Sequence, residues 1–165
     1  MQRAEGLTRE RLEEWGHAIG ANAARPLVIG LSGPLGAGKS VLARAIARGA
    51  GVAGAMPSPT FNLVYRYEPA AGLEVGHLDL YRLEDPDEVW ELGWRELGEG
   101  NQIVLVEWPE RAEGLMTEPR WDVELALEDD PDRRTVVVTR VGDAPELPAL
   151  PGADAAAAPG PASHA

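Results

Sequence analysis

A glycine-rich segment at residues 33–40 constrains the fold of this chain most, because its sequence GPLGAGKS fits the phosphate-binding pattern G-x-x-x-x-G-K-[ST]. The apolar run LVIGL at residues 27–31 predicts a buried strand before it, and residues 41–50 predict a helix after it. Glycines let the backbone N–H groups of such a loop point inward at an anion, and the helix adds the positive end of its dipole. The segment therefore predicts a phosphate-binding strand–loop–helix unit. A plain glycine-rich turn before an ordinary helix is the alternative.

Two side chains at the end of this loop have predicted roles in binding a nucleoside triphosphate and its metal. Lys39 is the only lysine of the chain, and we expect its ammonium group to reach the β- and γ-phosphates. We expect the hydroxyl group of Ser40 to occupy one position on a Mg²⁺ ion. The predicted nucleotide contacts in and next to the loop are Gly33, Gly36, Ala37, Gly38, Lys39, Ser40 and Val41.

The composition favours a single domain that does not bind nucleic acid unaided. The chain has 165 residues, enough for one compact core, and no cysteine for disulfides or zinc ligation. Its formal net charge of −12 disfavours binding to the phosphate backbone of a nucleic acid, because proteins bind that backbone with clustered Lys and Arg. We expect residues 1–141 to form the domain and residues 142–165, rich in Ala, Pro and Gly, to form a disordered tail.

Hydropathy gives no indication of a membrane or secretory segment. The first residues lack the apolar stretch of a signal peptide, and no run reaches the length of a membrane span. We therefore expect a cytoplasmic protein that does not bind membranes.

Segments on either side of the loop predict a helix and an antiparallel hairpin. Residues 8–20 predict a helix with Thr8 as its N-cap and one apolar face. Residues 61–68 alternate apolar and polar side chains as a strand does. A turn then leads to a second strand that ends in HLDLYR at residues 77–82, so the two strands predict an antiparallel hairpin.

The second half of the chain predicts one more helix and three more strands. Residues 85–97 begin with DPDE, a strong signal for a helix start. The apolar run IVLV at residues 103–106 is typical of a parallel strand that is covered on both faces. Alternating patterns at residues 121–128 and 135–139 predict two further strands.

Three oxygen-bearing side chains beyond the loop are candidates for the chemistry of the site. Glu107 directly follows the buried run, where open α/β sheets bind ligands, and would hold Mg²⁺ or its water; a solvated strand end is the alternative. Asp79 would be the second carboxylate, as a metal ligand or to orient water, unless it only caps a loop. The hydroxyl group of Thr60 would meet the metal or the γ-phosphate, or form a local turn bond.

Two further residues near these acids have less specific predictions. We expect His77 to be a structural hydrogen-bonding residue rather than a proton shuttle, because phosphoryl transfer depends on positioning and charge. Trp108 would stack, pack or mark a docking surface, and the sequence leaves these three roles open.

Four segments in this order make the chain resemble the TsaE family, formerly called YjeE: GPLGAGKS at 33–40, SPTF at 58–61, HLDLYR at 77–82 and VEWPE at 106–110. The resemblance covers about residues 7–140, and the HxDxYR and EW segments are more distinctive than the loop. It implies an α/β, P-loop NTPase-like three-layer domain with a mixed, mostly parallel central sheet and an antiparallel hairpin.

The resemblance also implies a function. Members of this family are small ATPases that help to make N6-threonylcarbamoyladenosine at position 37 of tRNAs. The implied cofactors are ATP and Mg²⁺, and the implied partners are a TsaD-type transferase and a TsaB-type protein, through which tRNA is bound only indirectly. ATP hydrolysis supports repeated turnover of the transferase, and we expect it to be weak until the partners bind.

The family motifs assign roles to individual residues of this chain. The implied catalytic residues are Lys39, Asp79 and Glu107, and the implied metal ligands are Ser40, Glu107 and Asp79. The implied nucleotide contacts outside the loop are Thr8, Thr60, Trp108 and Arg134, with Arg133 as the alternative to Arg134. Thr8 would lie near the adenine, and Thr60 would be a switch-like residue.

The chain departs from the family pattern at three positions. Pro34 replaces the usual acid and removes one N–H group from the loop. Ser40 replaces the usual threonine and keeps the ligand oxygen. Leu12 stands where a threonine of the first helix is common, so this segment offers fewer contacts to an adenine.

Two other functions use the same loop. The first alternative is a small-molecule kinase, which needs an acceptor pocket with a base beside it. The second is a nucleotide-gated binding module that never hydrolyses its ligand. Alanine substitution of Glu107 and Asp79 separates the binding module from the ATPase, because a binding module would support tRNA modification without either acid.

Overall fold

The computed structural model describes residues 1–57, 63–112 and 114–153, and within these residues a seven-stranded sheet carries the fold. The strands are β1 (Gln2–Leu7), β2 (Leu27–Ser32), β3 (Val64–Ala70), β4 (Leu73–Asp79), β5 (Gln102–Glu107), β6 (Arg120–Leu127) and β7 (Arg134–Val141). Their order across the sheet is β1-β7-β6-β2-β5-β4-β3. The helices are α1 (Arg9–Asn22) and α2 (Lys39–Gly49), with short 3₁₀ segments at Pro86–Leu92, Trp94–Glu96 and Pro109–Ala112.

Parallel pairing in the centre of the sheet brings the carboxyl ends of four strands to the same edge. β2 pairs in parallel with β5 and β6, and β5 pairs in parallel with β4. Glu107 at the end of β5 lies opposite Leu31 of β2 on one side and Asp79 of β4 on the other. β1, β3 and β7 pair antiparallel towards the two edges. The predicted mixed sheet with a β3–β4 hairpin is therefore confirmed.

Apolar side chains cover both faces of the sheet and give the domain three layers. On one face, alternate residues of the strands, such as Ile29 and Leu105, pack against α1 and α2. On the other face, residues such as Val104 pack against the 3₁₀ segments through Val89 and Trp94. The predicted three-layer α/β architecture is confirmed.

The two helices pack against each other through direct contact of their backbones. A methyl group at Gly20 of α1 would lie only 1.9 Å from the carbonyl oxygen of Ile46 in α2, so only glycine permits this approach. The predicted N-cap of α1 is confirmed, because the Thr8 side chain accepts a hydrogen bond from the N–H group of Arg11 (3.3 Å). Neither of these helices, nor any other in the part of the chain described, is long and apolar enough to cross a membrane.

Two elements differ from the sequence predictions. Residues 2–7 form an edge strand that was not predicted, because its hydrogen-bonding partner, β7, lies at the other end of the chain. The helix predicted at residues 85–97 is instead two 3₁₀ segments, because Gly93 adopts a left-handed conformation (φ 75°) and interrupts it. Its predicted start is confirmed, since the Asp85 side chain accepts a hydrogen bond from the N–H group of Asp87 (3.0 Å).

The prediction of a disordered tail from residue 142 is wrong for residues 142–153, which we call the strap. Ala144 and Leu150 of the strap are buried in the core. The indole N–H group of Trp15 donates to the Pro148 carbonyl (3.0 Å), and that of Trp121 donates to the Pro145 carbonyl (2.7 Å). Prolines lack an N–H group but keep their carbonyl acceptors, so a proline-rich segment can bind donors on a folded surface. Residues 154–165 lie outside the described residues.

Candidate nucleotide-binding site

The loop between β2 and α2 has a backbone conformation that its glycines make possible. Gly33 and Gly38 have positive φ angles of 139° and 106°. At Gly33 a Cβ atom would also lie 2.3 Å from the carbonyl oxygen of Leu125 in β6. Because α2 begins at Lys39, the positive end of its dipole lies at the loop, as an anion site requires.

The Lys39 ammonium group is buried inside the loop. Its Nζ atom donates to the carbonyl oxygens of Gly33 (2.6 Å) and Pro34 (2.8 Å) and lies 4.2 Å from the centre of the Trp108 ring. Burial lowers the pKa of Lys39, although the charges of nearby carboxylates partly oppose this shift. The ammonium is therefore a desolvated charge beside the loop, and a phosphate oxygen would bind it more strongly than a neutral carbonyl does.

Ser40 contacts the carboxylate that ends β5. Its Oγ atom donates to Glu107, 2.8 Å from Oε1 and 3.1 Å from Oε2. The same carboxylate lies 2.5 Å from Nε2 of His77, which belongs to β4. Glu107 is only 2% exposed. Ser40 and Glu107, which were each predicted to hold Mg²⁺, therefore lie in direct contact.

Asp79 is the second acid at this edge of the sheet. It lies opposite Glu107 in the register of β4 and β5, and its Oδ1 atom accepts a hydrogen bond from the N–H group of Tyr81 (3.0 Å). Burial raises the pKa of the Asp79 carboxyl; the Tyr81 N–H group lowers it in part, and the neighbouring Glu107 raises it further. Asp79 is thus a carboxylate with increased proton affinity beside the loop.

Two cavities meet at the glycine loop. The first has a volume of about 390 Å³. The second, of about 670 Å³, lies between the start of α1 and the turn from β6 to β7. The first is lined by Leu35, Gly36, Gly38, Lys39, Ser40, Val41, Leu63, Asp79, Tyr81, Arg82, Glu107 and Trp108. Gly36, Gly38 and Val41 line both, so a ligand with its phosphates in the first cavity can extend into the second.

The oxygen ligands at this site fit Mg²⁺. Ser40 supplies a hydroxyl and Glu107 and Asp79 supply carboxylates, which are the ligand types that Mg²⁺ prefers. Within the described residues, no group of three or more His, Cys, Asp or Glu side chains could hold a metal ion by itself. The residues therefore fit a Mg²⁺ shared with the phosphate oxygens of a nucleotide, which is how this ion is usually held.

Arg134 lies at the loop, but its hydrogen bonds go to the loop backbone. Nε donates to the carbonyl of Ala37 and an Nη atom to the carbonyl of Gly36, each at 3.1 Å. Arg133 donates to the carbonyl of Gly6 (2.9 Å). Both arginines line the second cavity. Arg134 thus fixes the outer side of the loop, a role that the sequence did not indicate.

Three further residues, Thr8, Thr60 and Trp108, were predicted to contact the nucleotide. Thr8, the N-cap of α1, lines the second cavity. Thr60 lies outside the described residues. Trp108 has a positive φ of 58°, stacks over Lys39, and lies 5.0 Å from the ring of Tyr81. Of the three roles left open for Trp108, the structure contains two: a ring contact with Tyr81 and packing against the apolar cluster that includes Val104.

The expectation that His77 is a structural hydrogen-bonding residue is confirmed by its contact with Glu107, whereas Tyr81 was not singled out from the sequence. The alternating pattern of HLD would have indicated that His77 and Asp79 share one face of their strand, because successive side chains point to opposite faces. The contact of His77 with Glu107 depends on the pairing of β4 with β5, which the local pattern does not specify.

Comparisons with known proteins identify the family of this chain. The family model described as "Threonylcarbamoyl adenosine biosynthesis protein TsaE" matches residues 7–136. Among proteins named tRNA threonylcarbamoyladenosine biosynthesis protein TsaE, the one from Rickettsia bellii is 35% identical over 80% of this chain and 90% of its own length. The one from Bacillus subtilis is 34% identical over 73% of each chain.

A solved structure shares the fold. The crystal structure of YdiB from Bacillus subtilis matches with a TM-score of 0.67 and 24% identity, over 86% of this chain and 88% of that chain. The chain spans about two thirds of some relatives, for example 66% of the protein from Haemophilus influenzae, which is 39% identical over 64% of this chain. Since the family model covers most of the chain, this protein belongs to the TsaE family.

Proposed function

We propose that this chain is a Mg²⁺-dependent ATP hydrolase that acts in the synthesis of N6-threonylcarbamoyladenosine in tRNA. The observation that carries the proposal is the contact between the Ser40 hydroxyl and Glu107, in the same cavity as Lys39. Hydrolysis of a nucleoside triphosphate needs a phosphate cradle, a metal ligand and a group that orients water. Lys39, Ser40 and Asp79 are candidates for these three roles around one cavity.

Binding would begin with the phosphates in the glycine loop. Lys39 would exchange its bonds to the carbonyls of Gly33 and Pro34 for bonds to phosphate oxygens, since a charge-assisted bond is stronger. The start of α2 favours the same negative charge. The ribose and the base would extend into the second cavity, past Thr8.

The acids would then serve hydrolysis. When bound, Mg²⁺ would supply positive charge against the β- and γ-phosphate oxygens, held by Ser40 and Glu107. Asp79 would orient a water molecule and accept its proton, to which its raised pKa is suited. The water oxygen forms a bond to the γ-phosphorus as the bond to the bridging oxygen breaks, and ADP leaves with that electron pair.

We further propose that a TsaD-type transferase and a TsaB-type protein are the partners. The net charge of −12 supports this assignment, because the tRNA would then be held by the partners rather than by this chain. At the mouth of the first cavity, Leu35 is 65% exposed and Tyr81 is 40% exposed. A partner that covers this rim would bury apolar surface and exclude water from the phosphates.

Release of phosphate from ATP tests the proposal. We expect slow release by the chain alone and faster release with both partners. The variant Glu107→Gln should lose this activity, whereas Glu99→Gln, a matched change at an exposed glutamate, should keep it. Release that does not depend on Mg²⁺ or is unaffected by Glu107→Gln would contradict the proposal.

The family match does not favour the alternative of a small-molecule kinase, since the relatives are named for tRNA threonylcarbamoyladenosine biosynthesis. A screen of nucleosides and small alcohols as phosphate acceptors separates the two functions. We expect phosphate to be released to water in every reaction, with no phosphorylated acceptor.

A further inference from the structure

A buried histidine contacts the acid of the proposed metal site. Nε2 of His77 lies 2.5 Å from Oε2 of Glu107, and each of the two side chains is only 3% exposed. A buried carboxylate is costly unless hydrogen-bond donors satisfy its oxygens. His77 is therefore a hydrogen-bonding partner that offsets part of the cost of burying Glu107.

The position of His77 is fixed by the sheet. β4 lies between β3 and β5, and His77 pairs with Tyr65 on one side and with Leu105 on the other. Glu107 is two residues further along β5 on the same face, so the two side chains are diagonal neighbours. The imidazole thus comes from a strand that is paired along both edges, whereas Ser40 comes from the first turn of α2.

The single hydroxyl proton of Ser40 is already engaged with Glu107. A hydroxyl group has one donor and two lone pairs, so this bond leaves the lone pairs of Ser40 available to a cation. If the Glu107 carboxylate rotated away, the Ser40 hydroxyl group would be free to rotate. Its lone pairs would then no longer be held in one direction. The orientation of Ser40 thus depends on Glu107, which in turn is held by His77.

We propose that His77 is a positioning residue for Mg²⁺: it holds Glu107 so that the Ser40 oxygen is oriented towards the ion that accompanies a nucleotide. This inference rests on the proposed function. His77 itself does not touch the nucleotide or the metal. Hydrogen-bonded partners of metal-binding groups typically change metal affinity by about 10- to 100-fold when they are removed.

The test compares two substitutions with a control. His77→Leu removes the donor, whereas His77→Gln places an amide N–H group near the former Nε2 position. His17→Leu changes an exposed histidine of α1 and serves as the matched control. Binding of a fluorescent ATP analogue is measured over a series of Mg²⁺ concentrations and again in EDTA, and circular dichroism checks the fold.

We expect His77→Leu to raise the Mg²⁺ concentration for half-maximal binding by about tenfold. Binding in EDTA should remain near the wild-type level, because the loop and Lys39 are unchanged. His77→Gln should restore most of the Mg²⁺ dependence, and His17→Leu should match the wild type. An unchanged Mg²⁺ requirement in His77→Leu, or no rescue by glutamine, would overturn the inference.

A second measurement needs no nucleotide. In the ¹H NMR spectrum of the unliganded protein, the ring N–H proton of His77 should appear downfield, and Glu107→Gln should move it upfield. Absence of that signal would overturn the inference even if His77→Leu failed to fold. If the wild type binds the analogue without any Mg²⁺ dependence, the proposed function is contradicted. If the wild type shows the Mg²⁺ dependence but the His77 variants do not change it as expected, only the role of His77 is contradicted.

Discussion

The hydroxyl oxygen of Ser40 at the start of α2 lies 2.8 Å from a carboxylate oxygen of Glu107 at the end of β5, across 67 residues of sequence. The parallel register of β2 and β5 produces this contact, because it aligns the end of β5 with the loop that follows β2. Lys39 lines the same cavity. The proposed activity depends on this convergence.

Removal of the only ammonium side chain should weaken nucleotide binding. We expect Lys39→Met to lower the affinity for ATP by at least about tenfold, because a hydrogen bond to a charged group contributes about 1.5–3 kcal/mol. Arg48→Met removes an exposed positive charge at the other end of α2 and is the control. Titration with a fluorescent ATP analogue measures both. Equal affinity in Lys39→Met and the wild type would show that the loop does not bind phosphate through Lys39.

Asp79 should lower stability at neutral pH. Its folded-state pKa is raised above the ordinary value of 3.8, mainly by burial, so the folded state binds a proton more readily than the unfolded state does. The favourable contribution of Asp79 to folding stability is complete at pH values below its ordinary pKa of 3.8. It is lost as the pH rises through the raised folded-state pKa. We therefore expect Asp79→Asn to have a higher Tm than the wild type at pH 7, and thermal unfolding from neutral to acid pH measures the difference.

The difference in Tm should shrink when the pH falls below 3.8, where the wild-type carboxyl is protonated in both states. In the same variant, phosphate release should be lost, because an amide cannot accept the proton of water as a carboxylate does. A variant that is less stable than the wild type at neutral pH would contradict the assigned direction of the Asp79 pKa.

Much of the site could be predicted because its signals are local. The loop pattern at residues 33–40 specifies glycines, a lysine and a hydroxyl at fixed spacing, and the structure has the strand and helix expected around them. The apolar run before Glu107 indicated a buried parallel strand, and parallel strands of one sheet end at the same edge. These two observations are sufficient to predict that Glu107 lies near Ser40.

Other features depend on contacts that no local pattern encodes. β1 is held by β7 at the far end of the chain, and His77 meets Glu107 only through the register of β4 and β5. The position of Arg134 after a turn does not indicate that its hydrogen-bond partners are the loop carbonyls of Gly36 and Ala37. The composition of the strap resembles a disordered segment, whereas two indole groups and a buried leucine hold it.

The contact between α1 and α2 should tolerate no side chain at Gly20. A methyl group there would lie 1.9 Å from the Ile46 carbonyl oxygen, so Gly20→Ala must separate the two helices. We expect a loss of at least about 2 kcal/mol in the free energy of unfolding, which is typical of overpacking. Glu14→Ala, at an exposed position of α1, controls for helix propensity and should change it by less than about 0.5 kcal/mol. Urea denaturation measures both variants, and equal stabilities would refute the packing argument.

The strap should stabilise the domain. Deletion of residues 142–165 exposes Trp15 and Trp121 and removes buried Leu150, whose burial alone contributes about 1.5–3 kcal/mol. We expect the midpoint of urea unfolding to fall. Deletion of residues 154–165 alone is the matched control, because it leaves these contacts intact. If both deletions had the same midpoint as the full chain, the strap would contribute nothing.

A crystal structure with a non-hydrolysable ATP analogue and Mn²⁺ in place of Mg²⁺ tests the central claim most directly, since the anomalous signal of Mn²⁺ locates the metal. We predict the ion at bonding distance, about 2 Å, from the Ser40 hydroxyl oxygen, and the Lys39 ammonium on the phosphates. Phosphates outside the loop of residues 33–40, or an ion remote from both Ser40 and Glu107, would contradict the proposed site.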